Sequence, residues 1–193
     1  MIVGITGYAR HGKDTIADVL FALMPHARKL SLAYPMKEAC KLIFDWTDAH
    51  VYGELKDVID PKWGVSPRQA LTTIGTEWGQ YCLCKFPAFK ETTGRKLWIK
   101  SLLTNVDDNF GNYIIPDVRF HHEVEEILKQ PNSYIIKVRR KEYSIDTSHE
   151  SEQDISCIYH NLLIYNDSTV ESLQERTREI HKHILSKMEN KSL

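Results

Sequence analysis

The start of the chain constrains it most. An apolar run, Ile2 to Thr6, stops at a glycine and continues as Gly7-Tyr8-Ala9-Arg10-His11-Gly12-Lys13-Asp14-Thr15, which matches G-x-x-x-x-G-K. Ile16, Val19, Leu20 and Leu23 then recur at helical spacing, so a helix is expected from near Lys13 to just before Pro25. Strand, glycine loop and helix in that order form an anion cradle. Glycines let backbone N–H groups curl around phosphate oxygens, and the helix N-terminus adds partial positive charge. The bland alternative, a glycine turn with an exposed lysine, does not need this strand-to-helix context. Gly7, Arg10, His11, Gly12, Lys13, Asp14 and Thr15 are therefore expected to bind the phosphates of ATP. Lys13 would reach the β- and γ-phosphates as a point charge.

Asp14 stands where such loops usually place a hydroxyl that ligates Mg²⁺. It has two readings: a hard oxygen donor holding Mg²⁺ directly or through water, or an orienter of Lys13 with Thr15 on a phosphate. Asp117 closes the apolar run Tyr113-Ile114-Ile115-Pro116, at the strand end where open α/β sheets place ligands. It is expected to support Mg²⁺, with a helix N-cap as the alternative. Arg119 offers a fork of donors to a phosphate, or an ion pair to Glu123. Transfer between two anions needs further cations, and Lys37, Arg68, Arg139 and Arg140 are the candidates. Arg68 begins a helix, where a cation opposes the dipole, so an anionic partner is expected. Trp78 and Trp98 read as core aromatics, with stacking on a base as the alternative. His121, His122, His181 and His183 lack ligand-spaced partners and read as surface residues.

Along the chain, strands are expected at Ile2–Thr6, Lys29–Ala33, Tyr113–Asp117, Ser133–Val138 and Leu162–Tyr165. Helices follow Pro35 to Phe44, Ser66 to about Leu83, Leu97 to Val106 and Glu123 to Lys129. Ser66-Pro67-Arg68-Gln69 is a capping box with proline at the first helical position. Ser168-Thr169-Val170-Glu171 reads as a second, leading into a helix that faces Leu173, Ile180, Ile184 and Met188 inward. Residues 45–65 read as an irregular or mobile connection. Alternating strands and helices predict a three-layer α/β fold on a parallel sheet. The whole chain reads as a single domain. Residues from about 45 to 106 would form a helical acceptor-binding region, and those from about 139 to 157 a lid.

Composition removes other classes. Net charge is -1 over 193 residues, so no basic field grips nucleic acid. No apolar run approaches a membrane span. The N-terminus does not read as a signal peptide, and the expectation is a cytoplasmic protein. Cys40, Cys82, Cys84 and Cys157 lack zinc-site spacing and read as buried thiols.

Further stretches carry a resemblance. These are Tyr34-Pro35-Met36-Lys37-Glu38-Ala39, the run from Ser66 through Arg68, Glu77 and Trp78 to Gly79, and Pro116-Asp117-Val118-Arg119-Phe120. His149-Glu150-Ser151-Glu152 and Asn166-Asp167-Ser168-Thr169 complete the set. With the loop, they resemble the phage-type deoxynucleoside monophosphate kinases over nearly the whole length. The resemblance implies a five-stranded parallel sheet and a reaction taking ATP and a deoxynucleoside monophosphate to ADP and the diphosphate, with Mg²⁺. It implies that Lys37, Arg68, Glu77, Trp78 and Asp117 line the acceptor site, that Asn166 lies beside the ATP adenine, and that Lys13, Arg119 and Arg140 serve transfer. Asp14 and Asp117 would be the metal ligands. Partners reduce to those small molecules, with self-association into a homodimer left open. Two competing readings are a dephospho-coenzyme A kinase-like enzyme and a nucleotide-binding regulator without transfer.

Overall fold

The structure, a computed structural model, describes residues 1–107, 111–140 and 154–190. They group into two compact units, Met1–Ser31 with Thr104–Leu193, and Leu32–Leu103.

The first unit is built on five parallel strands: β1 (Ile2–Thr6), β2 (Ala27–Lys29), β3 (Asn112–Val118), β4 (Ser133–Arg139) and β5 (Leu162–Tyr165). Their order in the sheet is β2-β3-β1-β4-β5. β1 and β4 are buried along nearly their full length, which is why they read as continuous apolar runs rather than alternating ones. Helix α1 (Lys13–Leu23) and the C-terminal helix α8 (Val170–Glu189) cover one face. There Ile16, Ala17 and Leu20 of α1 and Leu173 and Ile184 of α8 meet Val3, Ile5, Ile114, Ile136 and Val138. On the other face, Gly4 leaves room for Ile127 of α7 (His121–Leu128), for a Cβ there would sit 3.2 Å from the Ile127 side chain. The three-layer α/β expectation holds.

Several details differ from the sequence reading. β2 occupies Ala27–Lys29, ahead of the expected Lys29–Ala33. The α8 cap is Thr169, whose hydroxyl accepts from the Ser172 N–H at 3.2 Å, one residue beyond the expected Ser168. His181 is buried on α8, not at the surface, and burial lowers its pKa. Cys40 alone among the four thiols is buried, and Cys157 is exposed. The expected lid falls largely on residues 141–153, outside the described residues.

The second unit holds α2 (Tyr34–Phe44), α3 (Asp48–Val51), α4 (Pro67–Thr72), α5 (Pro87–Thr92) and α6 (Leu97–Leu103). Residues 45–65 are largely turns and bends, as expected, but they are held by a buried anchor. Trp46 is buried, stacks on Phe44 at 4.3 Å and donates its indole N–H to Asp60 at 2.6 Å. α3 and a 3₁₀ turn, Glu54–Asp57, form around this anchor. The Ser66 capping box forms as expected, with the Gln69 side chain accepting from the Ser66 N–H at 2.9 Å.

The helix that follows changes character at Thr73. Thr73–Cys82 is a π-helix, wider than the α-helix expected there. Both of its glycines meet the Trp98 indole. The Trp98 indole donates to the Gly75 carbonyl at 2.8 Å, competing for an acceptor that an α-helix would spend on the fourth residue along. Gly79 lets the same indole pack against the backbone, since a Cβ there would lie 2.6 Å from ring atoms. Trp78, by contrast, is 44 % exposed and is not a core residue.

Gly79→Ala is expected to push Trp98 off the helix and to lower stability by about 1–3 kcal/mol, the usual cost of overpacking. Urea unfolding followed by tryptophan emission measures it; an unchanged midpoint and spectrum would show that the indole does not hold this helix.

Candidate active site

The loop between β1 and α1 is shaped by close approaches that only glycine permits. Gly7 has φ 152°, and a Cβ on it would lie 2.7 Å from both the side chain and the carbonyl oxygen of Val138. Gly12 has φ 100°, and a Cβ there would meet Leu173 at 2.8 Å and the Asn166 amide at 2.9 Å. Between them Arg10 adopts the left-handed conformation with φ 62°, a local cost that loops of this kind accept at functional positions. Gly12 caps α1 without a side-chain hydrogen bond, so no cap side chain occupies the first-turn amides. These are the features of an anion cradle.

Lys13 is half-buried and donates its ammonium to the carbonyls of Gly7 at 2.7 Å and Tyr8 at 2.8 Å. The charge is therefore held over the loop. Arg10 and Asp14 are exposed, and Thr15 is partly buried. The His11 side chain is turned inward. Its ring is 1 % exposed, edge-on to Tyr8 at 5.3 Å, and its Nδ1 accepts from the Arg140 N–H at 3.3 Å. The ring thus ties the end of β4 to the loop. Asn166 does the same from β5, donating to the His11 carbonyl at 3.0 Å. Asn166, which the resemblance sets beside the nucleotide, thus also braces the loop.

Asp117 and Arg119 lie at the end of β3, beside β1. The register slips here: Gly4 pairs with Ile115, but Thr6 pairs with Val118, so β3 holds one extra residue at Pro116–Asp117. Proline has no N–H for the ladder, and a bulge accommodates it. The Asp117 carboxylate accepts from the Ser31 hydroxyl at 2.6 Å. Ser31 was not singled out from the sequence; it lies 86 residues away, with no spacing signal to find it. The N-cap position of α7 is Phe120, so Asp117 is not that cap. Glu123, considered as an ion-pair partner of Arg119, accepts instead from the backbone N–H of Arg119 at 2.8 Å and of Phe120 at 3.1 Å. Burial pushes Glu123 up to about 7, against the pull of those two amides.

In the second unit, Lys37 lies over the Tyr52 ring, 4.2 Å from its centroid. Arg68 is paired through Nε and Nη2 with both carboxylate oxygens of Asp57. The anionic partner that its place in the first turn calls for is thus present within the protein, and Arg68 holds Asp57 well ionised. Asp57 and Tyr52 were not singled out from the sequence, because neither stands at a helical or strand spacing from its partner. Glu77 and Trp78 are exposed on the π-helix.

Asp14 and Asp117 are carboxylates, the donor type that suits Mg²⁺. No group of three or more His, Cys, Asp or Glu that could hold a metal occurs among the described residues. Such a donor set fits an ion that keeps most of its shell as water and phosphate oxygens, and does not fit an all-protein cage. No helix of the described residues is long and apolar enough to cross a membrane.

A family profile described as deoxynucleotide monophosphate kinase matches residues 59–177. A protein of Acanthamoeba polyphaga mimivirus, provisionally named a deoxynucleotide monophosphate kinase, is 30% identical over 200 residues, which span 100% of this chain and 98% of that relative. Among solved structures, the dephospho-CoA kinase of Campylobacter jejuni superposes with a TM-score of 0.50 at 13% identity, over 95% of this chain and 96% of that one. That likeness shows a shared fold.

Gly12→Ala is expected to strain the left-handed turn and displace Asn166, costing about 1–3 kcal/mol of stability. Nucleotide binding should weaken at least ~10-fold. Thermal unfolding and calorimetric titration with ATP measure the two; a variant with wild-type affinity would remove Gly12 from the cradle.

Proposed function

The chain belongs to the deoxynucleotide monophosphate kinase family, and from that premise we propose that it transfers the γ-phosphoryl group of ATP to a deoxynucleoside 5′-monophosphate. It is a nucleotide kinase by family. The observation that carries the finer reading is the loop from Gly7 to Lys13, with a capless helix end and a lysine ammonium held above it.

In this reaction an oxygen of the acceptor phosphate attacks the γ-phosphorus, and the bond from that phosphorus to the β,γ-bridging oxygen breaks, leaving ADP. No covalent enzyme intermediate is required, so the protein's work is positioning and charge stabilisation. The loop amides and Lys13 would bind the β- and γ-phosphates. Arg119 and Arg140 would meet charge on the transferring group. Asp14 and Asp117 would hold a hydrated Mg²⁺, which when bound neutralises phosphate charge. Lys37, Arg68, Glu77 and Trp78 would serve the acceptor, with Arg68 on its 5′-phosphate. Asp57 does not preclude this. The Arg68–Asp57 pair is exposed on both sides, and such surface pairs contribute about 0–1 kcal/mol. A dianionic phosphate can displace it.

An ADP-release assay across the four deoxynucleoside monophosphates tests the reading, with dephospho-coenzyme A as a control acceptor. Turnover with at least one deoxynucleotide and none with dephospho-coenzyme A is expected. Lys13→Ala should lower turnover by at least ~10²-fold while leaving the protein folded. A folded variant with near-normal rate would sink the assignment of the loop. Arg68→Ala should weaken the monophosphate about 10- to 150-fold, the loss of a charge-assisted bond of about 1.5–3 kcal/mol. ATP binding should be unaffected, and equal losses for both ligands would take Arg68 out of the acceptor site. Asp14→Asn should raise the Mg²⁺ concentration needed at fixed ATP; an unchanged midpoint would leave Asp14 as an orienter of Lys13.

A further inference from the structure

An ordinary N-cap side chain reaches forward, to the second or third amide of its helix. Helix α7 is held the other way. Its N-cap position is Phe120, whose ring accepts no such bond, and Glu123 reaches back from the third helical position. Glu123 is 3 % exposed. One oxygen, Oε2, takes both the Arg119 N–H at 2.8 Å and the Phe120 N–H at 3.1 Å. The Arg119 amide precedes the helix altogether. A cap made only to stabilise α7 would not need it, nor would it need the burial of a carboxylate, which is costly.

What Glu123 holds is the turn leaving β3. On the strand side that segment is fixed by the return of Val118 to its place opposite Thr6, after the bulge at Pro116–Asp117. The Ser31 hydroxyl pins Asp117 at 2.6 Å. Phe120 is buried and stacks on His122, with ring centroids 5.4 Å apart. Asp117, Val118 and Arg119 are thus anchored at both ends, and Glu123 is the anchor on the helix side.

We propose that Glu123 is the positioning residue for Arg119: by gathering the amides of Arg119 and Phe120 on one oxygen, it fixes the turn from which the Arg119 guanidinium is presented to the transferring phosphoryl group. The inference rests on the reading of Arg119 given above. Glu123 touches no substrate in this scheme and acts only through the backbone it holds.

Two substitutions separate geometry from charge. Glu123→Gln keeps an acceptor oxygen at the same reach and removes the charge. Glu123→Asp keeps the charge and draws the oxygen back by one methylene. In steady-state assays with ATP and the accepted deoxynucleotide, Glu123→Gln is expected to keep kcat within about threefold of the parent. Glu123→Asp should lower kcat by at least ~10-fold with both KM values little changed, because small misplacements cost that much. The opposite order, Asp retained and Gln lost, would overturn the proposal in favour of a charge effect, and so would two unaffected variants. Should Glu123→Asp not fold, Glu123→Met, which keeps the length and removes the acceptor, takes its place with the same expected outcome. Combination with Arg119→Ala closes the cycle. If Glu123 acts through Arg119, the Glu123→Asp loss vanishes in that background; losses that multiply would overturn it. Should Arg119→Ala alone leave kcat unchanged, the role given to Arg119 fails, and the proposal fails with it. That outcome is distinct from an active Arg119 with an indifferent Glu123.

Discussion

The first unit depends on two glycines whose backbone lies directly against neighbouring elements, where a side chain would ordinarily stand. Gly7 lies against Val138 of β4, and Gly12 against Leu173 of α8 and Asn166 beyond β5. Neither approach survives a Cβ, and both occur within one six-residue loop. That loop is thereby registered on three elements distant in sequence. The hydrogen bonds of His11 and Asn166 add to this, since each ties a strand end to the loop. The loop keeps its shape because the sheet around it is already in order.

Much of this was legible in the sequence where the signal is local. The first strand, the last strand and the Ser66 cap came out at the expected residues, because each is set by neighbours within a few positions. Local signals misled where a distant group intervened. The Trp98 indole reaches 23 residues back to the Gly75 carbonyl, and no periodicity in residues 73–82 announces the resulting π-helix. The polar stretch around Trp46 looked irregular because its order comes from one buried indole and its bond to Asp60, not from a repeating face. His181 read as a surface residue because it lacks ligand-spaced partners, yet it is buried on α8.

The candidate site divides along the same line. Glycines and Lys13 are specified by a short motif, and their placement followed it. The supporting residues could not be read, because Ser31 and Asp57 act through contacts fixed only by the fold. Arg68 shows both sides. Its place in the first turn of a helix correctly called for an anion, but sequence alone could not tell an internal carboxylate from an external phosphate.

The π-helix also bears on how this chain can be compared with others. In a π-helix such as Thr73–Cys82 the backbone bond reaches one residue further along than in an α-helix, as the Leu83 N–H does to the Trp78 carbonyl. A stretch of this kind absorbs an extra residue without moving what flanks it. A homologue lacking one position here could run as plain α-helix between the same two anchors, the Ser66 cap and the turn before Pro87. An alignment gap inside residues 73–82 would then mark a change of helical pitch rather than a lost contact, and the residues facing a ligand would change by rotation even where their identities agree.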